Sequence, residues 1–167
     1  IDTEWASVLS PSIVYDEGKY KIWFVYQREC LKYYESIDGT NWQFVRDISV
    51  GINPLGNYQL WHFDMIKTNK GYEFVGCYQI NGEFDRNNFI AYSKSLDNVT
   101  FEPAFCVLTN GESGQFDDLE LYRPCLVWTG GKYRMYYGAQ KSKAIWHIGV
   151  VEAPEMELLC SIGLYLC

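Results

Sequence analysis

His62 and Asp64 stand two residues apart, and on a strand that spacing points both side chains to one face. A His-x-Asp pair on an apolar strand must find polar partners if it is buried. Glu120, just upstream of Tyr122 and Arg123, offers a second carboxyl. Two carboxyls facing each other about 5–10 Å apart are the machinery of acid–base cleavage of a glycosidic bond. Asp64 and Glu120 are therefore the candidate catalytic residues. Arg123 adds a planar fork of donors that suits hydroxyls and, bidentately, a carboxylated sugar. Trp61 and Tyr122 carry flat rings that can lie against the C–H face of a sugar or fill a core. Trp61, His62, Tyr122 and Arg123 are thus candidate substrate-binding residues. Asp117 and Asp118 read as loop acids facing solvent.

Composition narrows the partners. The 167 residues carry a net charge of −7, and an acidic surface repels phosphate backbones, so no nucleic acid is expected. No stretch is long and apolar enough for a membrane span. Six Cys and two His show no metal-ligand spacing, so neither a metal nor a cofactor is expected, and the irregular Cys spacing defines no disulfide framework. Ile1-Asp2-Thr3-Glu4 lacks a basic segment followed by an apolar one, so no signal peptide is read and the compartment stays open. Aromatics reach 17%, which favours strands.

The elements that must position these residues are repeats. Ser10–Phe24, His62–Val75 and Arg123–Tyr137 each show an apolar run, a polar turn containing Gly and an alternating aromatic run. That is a hairpin pattern, with Gly18, Gly71 and Gly131 supplying positive φ. A second motif recurs at a constant offset: Ser36, Asp38 and Trp42 match Ser95, Asp97 and Phe101. In such a turn Ser and Asp accept backbone hydrogen bonds, so Asp38 and Asp97 read as structural. The third unit lacks this turn, and its apolar tail from Glu157 reads as a last strand or a broken end. Helical periodicity is absent. Four short strands per repeat indicate an all-β propeller of about three four-stranded antiparallel blades, near 4–50, 57–108 and 119–160, within one domain over 1–167.

Ser10-Pro11-Ser12-Ile13-Val14 with Gly18-Lys19-Tyr20, the turn Ser36-Ile37-Asp38-Gly39-Thr40-Asn41-Trp42, and Tyr122-Arg123-Pro124 with Gly131-Lys132-Tyr133 resemble blades of family 43 glycoside hydrolases. The clan to which these belong also includes arabinanases, invertases and levansucrases. The resemblance implies five blades around a funnel and carboxylates on the inner strands, one of them an Asp directly before the inner-strand Pro. Here Ser10, His62 and Arg123 occupy that position, so Ser10 joins the substrate-binding candidates. Three blades alone leave sheet edges open, so an oligomer or further blades are expected to cover them. The resemblance implies a carbohydrate-active protein that hydrolyses or binds a glycan in the funnel. The alternatives are a non-catalytic glycan-binding module and a structural propeller module.

Overall fold

The computed structural model describes the backbone of residues 8–53, 56–80, 88–142 and 145–162. Strands β1 (Val8–Asp16), β2 (Lys19–Tyr26), β3 (Cys30–Ser36) and β4 (Gln43–Ile48) form an antiparallel sheet in sequence order. A short β5 (Ile52–Asn53) leads to the second sheet, β6 (Tyr58–Thr68), β7 (Gly71–Ile80), β8 (Phe89–Ser95) and β9 (Ala104–Thr109). β5 pairs parallel to β9, making this sheet five-stranded. The third sheet holds β10 (Glu120–Trp128), β11 (Tyr133–Ser142) and β12 (Ile145–Ala153).

Four antiparallel strands per blade therefore hold for the first two units, β1–β4 and β6–β9, with β5 added at the edge of the second, and the third unit shows three. In place of a fourth strand, the third unit ends in helix α1 (Glu157–Ile162), which lies against β9. Met156 and Leu159 bury themselves in the core between the second and third sheets. That burial explains why Met156 and Leu159 fold over a core rather than extend a strand; residues 163–167 of the apolar tail lie outside the described residues.

The middle sheet is covered on both faces. One core, with Trp23, Tyr33, Met65, Tyr72 and Phe74, fills the space between the first and second sheets. The other, with Val75, Tyr92, Leu126, Tyr133 and Met135, fills the space between the second and third. β7 therefore supplies both cores, Tyr72, Phe74 and Tyr78 to one and Val75 to the other, and the strand is buried from Gly71 to Gln79. The outer faces stay open: Ile13, Tyr15 and Phe44 are exposed on the first sheet, and Ile148 and Val150 on the third. The inner strand β6 packs between β1 and β10.

The repeated turns behave as their chemistry demands. Asp38 Oδ1 accepts from the N–H of Thr40 at 2.8 Å and of Asn41 at 2.7 Å, and Asp97 Oδ1 accepts from Val99 and Thr100. The Asn41 amide first, then its side chain and the Thr40 amide, hold the Asp38 carboxyl well below the usual range. Gly18 and Gly71 have positive φ, and any Cβ on Gly71 would sit 2.4 Å from the Ser95 carbonyl oxygen. In the third hairpin Gly130, not Gly131, has the positive φ.

Adjacent sheets are also stitched by polar contacts at one repeat position. Lys21, Glu73 and Arg134 each follow the tyrosine that opens the second strand of its unit. Lys21 Nζ donates to the Tyr72 hydroxyl of the next sheet at 2.7 Å. Glu73, fully buried, accepts from Tyr133 of the next sheet at 3.0 Å, from Tyr92 at 2.5 Å, and from Thr68. Replacing Glu73 with Ala strands two buried phenol groups, so the variant should lose about 3 kcal/mol of unfolding free energy. Urea titration should show Tyr133→Phe losing only about 1 kcal/mol, because it removes one donor and leaves Glu73 with two others.

Candidate functional site

The site is built where the regular register of the inner strands breaks. The β1–β2 pairing shifts between Leu9 and Ser12, the β6–β7 pairing between Leu60 and His62, and the β10–β11 pairing between Tyr122 and Cys125. Ser10 and Arg123, each before a proline, have positive φ of 51° and 44°. A proline disfavours the right-handed helical region for the residue before it. A bulge then re-aims the side chains that would otherwise alternate regularly. Two of the bulges fall at Ser10 and Arg123, and the third falls at Trp61, one residue before His62.

At that level Ser10 Oγ lies 2.6 Å from His62 Nδ1 and ties β1 to β6. His62 is only 2% exposed, and among the described residues its Nε2 has no hydrogen-bond partner. The ring stacks on Trp61, with centroids 5.3 Å apart, and meets Tyr122 edge-on at 4.4 Å. Trp61 and Tyr122 contact each other at 5.1 Å, and Tyr122 contacts Trp146 of β12 at 5.4 Å. Two guanidinium groups cap this aromatic row. Arg28 lies over Trp61 at 5.2 Å and Arg123 over Tyr122 at 5.1 Å. Burial, then the charges of Arg123 and Arg28, lower the His62 pKa to about 4, so the imidazole is neutral at pH 7.

One level further along the strands sits Asp64. Its Oδ1 lies 3.0 Å from Ser12 Oγ and accepts from the Met65 N–H at 2.9 Å. Its Oδ2 accepts from the Leu126 N–H at 2.9 Å. One carboxylate thus joins β1, β6 and β10. Glu120 lies elsewhere. It begins β10 opposite Gln140, six residues before Leu126. At about 3.3 Å per residue, and allowing for the bulge, that is roughly 15–20 Å of strand. Glu120 is 8% exposed and shares a strand face with Tyr122.

The geometry therefore brings Ser10, Trp61, His62, Tyr122 and Arg123 into one cluster and keeps Asp64 and Glu120 apart. Arg28 and Trp146 belong to the same cluster and carry no sequence signal that links them to it. Arg28 sits in the β2–β3 turn with φ of 62°, and Trp146 lies in β12. Asp117 is a correction: it is buried, and its Oδ2 accepts from the Tyr137 hydroxyl at 3.0 Å. Among the described residues, no group of three His, Cys, Asp or Glu gathers to hold a metal ion.

No protein-family profile matches the sequence, and no curated protein sequence matches it. Solved structures do share the fold. An N-acetylgalactosamine deacetylase from F. plautii, solved with blood group B trisaccharide, matches with a TM-score of 0.75 at 20% identity over 96% of this chain and 54% of its own. A family 117 glycoside hydrolase of Zobellia galactanivorans matches at 0.70 and 17%, over 93% of this chain and 56% of its own. The Penicillium chrysogenum α-L-arabinanase, complexed with arabinobiose, matches at 0.68 and 15%, over 89% and 46%. The chain spans about half the length of these structures. The fold it shares with these structures is the β-propeller, and three blades are present among the described residues.

The buried, neutral His62 ties stability to pH. Its folded pKa, about 4, lies below the ordinary 6.5, so the unfolded chain takes up the proton first. Its contribution is complete above pH 6.5 and falls as the pH drops towards and through 4, by about 3 kcal/mol in all. Denaturant midpoints measured from pH 7.5 to 4 should show that decline, and His62→Gln should remove this part of it.

Proposed function

We propose that this chain is the glycan-binding part of a carbohydrate-active propeller, and that a sugar lies against the wall formed by Trp61, Tyr122 and Trp146. One observation carries the reading. Aromatic rings from two sheets meet within about 5 Å of one another at the bulges of the inner strands, and Trp61 and Tyr122 remain half-exposed there. A core would bury such rings completely, whereas these keep part of their surface open for a sugar beside the guanidinium groups that lie over them. The neighbours in fold include structures solved with a trisaccharide and with arabinobiose, which supports the same ligand class.

For hydrolysis, Glu120 is the candidate acid, two residues before Tyr122 on β10, and a second carboxyl would have to face it across the bond. Asp64 is better suited to positioning, because both its oxygens already serve strand-to-strand hydrogen bonds. The exposed apolar faces of the first and third sheets are, in this reading, covered by further blades or by a partner subunit.

Titration calorimetry against arabino-oligosaccharides and blood-group-type trisaccharides tests the site. Trp61→Ala and Tyr122→Ala should each weaken binding about tenfold, equivalent to roughly 1.4 kcal/mol. Unchanged affinity in both would remove the wall from consideration. Glu120→Gln should preserve binding, and loss of reducing-sugar release in that variant alone would restore the hydrolase reading for this chain.

A further inference from the structure

We propose that Ser10 and His62 act as nucleophile and base, and that the site removes acyl groups from O-acylated sugars. The inference goes beyond binding, and it takes its substrate class from the glycan reading above. Three observations carry it. Ser10 Oγ lies 2.6 Å from His62 Nδ1, within the reach at which a base takes a hydroxyl proton. Ser10 is half-exposed while the imidazole is buried, so of the pair it is the serine that a substrate can reach. Ser10 also has a φ of 51° and sits in the ladder break between Leu9 and Ser12. Residues other than glycine rarely adopt that backbone, and such strain gathers where a protein does chemistry.

Ser12, two residues on, shows what a structural serine looks like in the same strand. It is buried, its Oγ accepts from the Met65 N–H at 3.0 Å, and it lies 3.0 Å from Asp64 Oδ1. Ser10 differs, because among the described residues its hydroxyl and the His62 imidazole are hydrogen-bonded to each other alone. With the hydroxyl as donor, Nδ1 is the acceptor and its lone pair faces the proton to be taken. Burial, then the charges of Arg123 on β10 and Arg28 in the β2–β3 turn, keep the ring neutral at pH 7, as a base requires. The same two charges favour a negative Oγ and a negative carbonyl oxygen beside it.

The chemistry needs only water as a second reactant. Oγ attacks the ester carbonyl carbon while its proton passes to Nδ1. The tetrahedral oxyanion collapses, the bond to the sugar oxygen breaks, and Nδ1 returns the proton to that oxygen. Water then attacks the acyl-serine and gives a proton to Nδ1. The carboxylic acid leaves as that proton goes back to Ser10 Oγ. Trp61 stacks on His62 and Tyr122 meets it edge-on, which puts the alcohol half of the ester at the aromatic wall. The half-buried setting of Ser10 suits a small acyl group such as acetyl.

A fluorophosphonate probe tests the nucleophile without any sugar. Intact mass should show a single addition, peptide mapping should place it on Ser10, and Ser10→Ala should remove it. His62→Gln, shown by circular dichroism to be folded, should slow labelling about a hundredfold, the scale of general-base help. The pH profile of labelling in the unaltered protein needs no variant. It should stay level below neutrality and fall only near 4, where the imidazole takes a proton; an ordinary imidazole would lose it near 6.5. Acetate release from an O-acetylated xylo-oligosaccharide should accompany labelling and be absent in Ser10→Ala. An unlabelled Ser10, equal labelling of folded His62→Gln, or a rate that simply rises with hydroxide overturns the nucleophile and leaves the glycan wall to its own calorimetry. Labelling of Ser10 without acetate release overturns the sugar ester as substrate.

Discussion

A single carboxylate holds the inner strands of the three sheets in register. Asp64 lies on the middle strand, accepts from Leu126 on one side, and reaches Ser12 on the other. Inner strands of neighbouring propeller blades run too far apart to form a continuous ladder, so their polar backbone groups need another partner. A short, charged acceptor with two oxygens can serve two strands at once, and charge strengthens each bond. The bulges that follow, and the side chains they re-aim, sit on the platform this contact creates.

The same logic recurs further out with different residues. Lys21 and Glu73, opposite in charge, occupy one repeat position, and each hydrogen-bonds the tyrosine hydroxyl of the following sheet. A phenol can donate or accept, so either sign of charge can satisfy it. This tolerance explains how a repeat can hold its architecture while its sequence drifts. What is kept is the tyrosine after each turn and a polar group able to reach the next sheet. Burial of the middle sheet on both faces supplies the rest, since β7 alone fills two cores.

The hairpins and Asp-based turns were legible because their signals are local. Gly18, Gly71, Asp38 and Asp97 act on backbone within three or four residues of themselves. The end of the third unit was not legible. Whether Met156 and Leu159 continue a sheet or fold over a core depends on a gap between two sheets that no local pattern encodes. Asp117 illustrates the same limit: its loop setting suggests water, and only Tyr137, twenty residues on, makes it a buried acceptor. In the site, the run from Trp61 to Asp64 and the pair Tyr122 and Arg123 stood out by chemistry and spacing. Arg28 and Trp146 reach the cluster from a turn and from a third strand, and nothing near them in sequence marks that destination.

The two levels of the inner strands divide the work. At the Asp64 level the polar groups answer one another, and a carboxylate whose oxygens already accept backbone and hydroxyl donors is committed to geometry. At the His62 level the account stays open: among the described residues His62 Nε2 has no hydrogen-bond partner and the exposed Arg123 makes no ion pair, and two backbones are held at positive φ. Strain and unmet polar capacity persist only where the surroundings enforce them, and they concentrate where a protein meets a ligand. The rigid lower level supplies that enforcement. The upper level is where the fold leaves rings and charge for something other than itself.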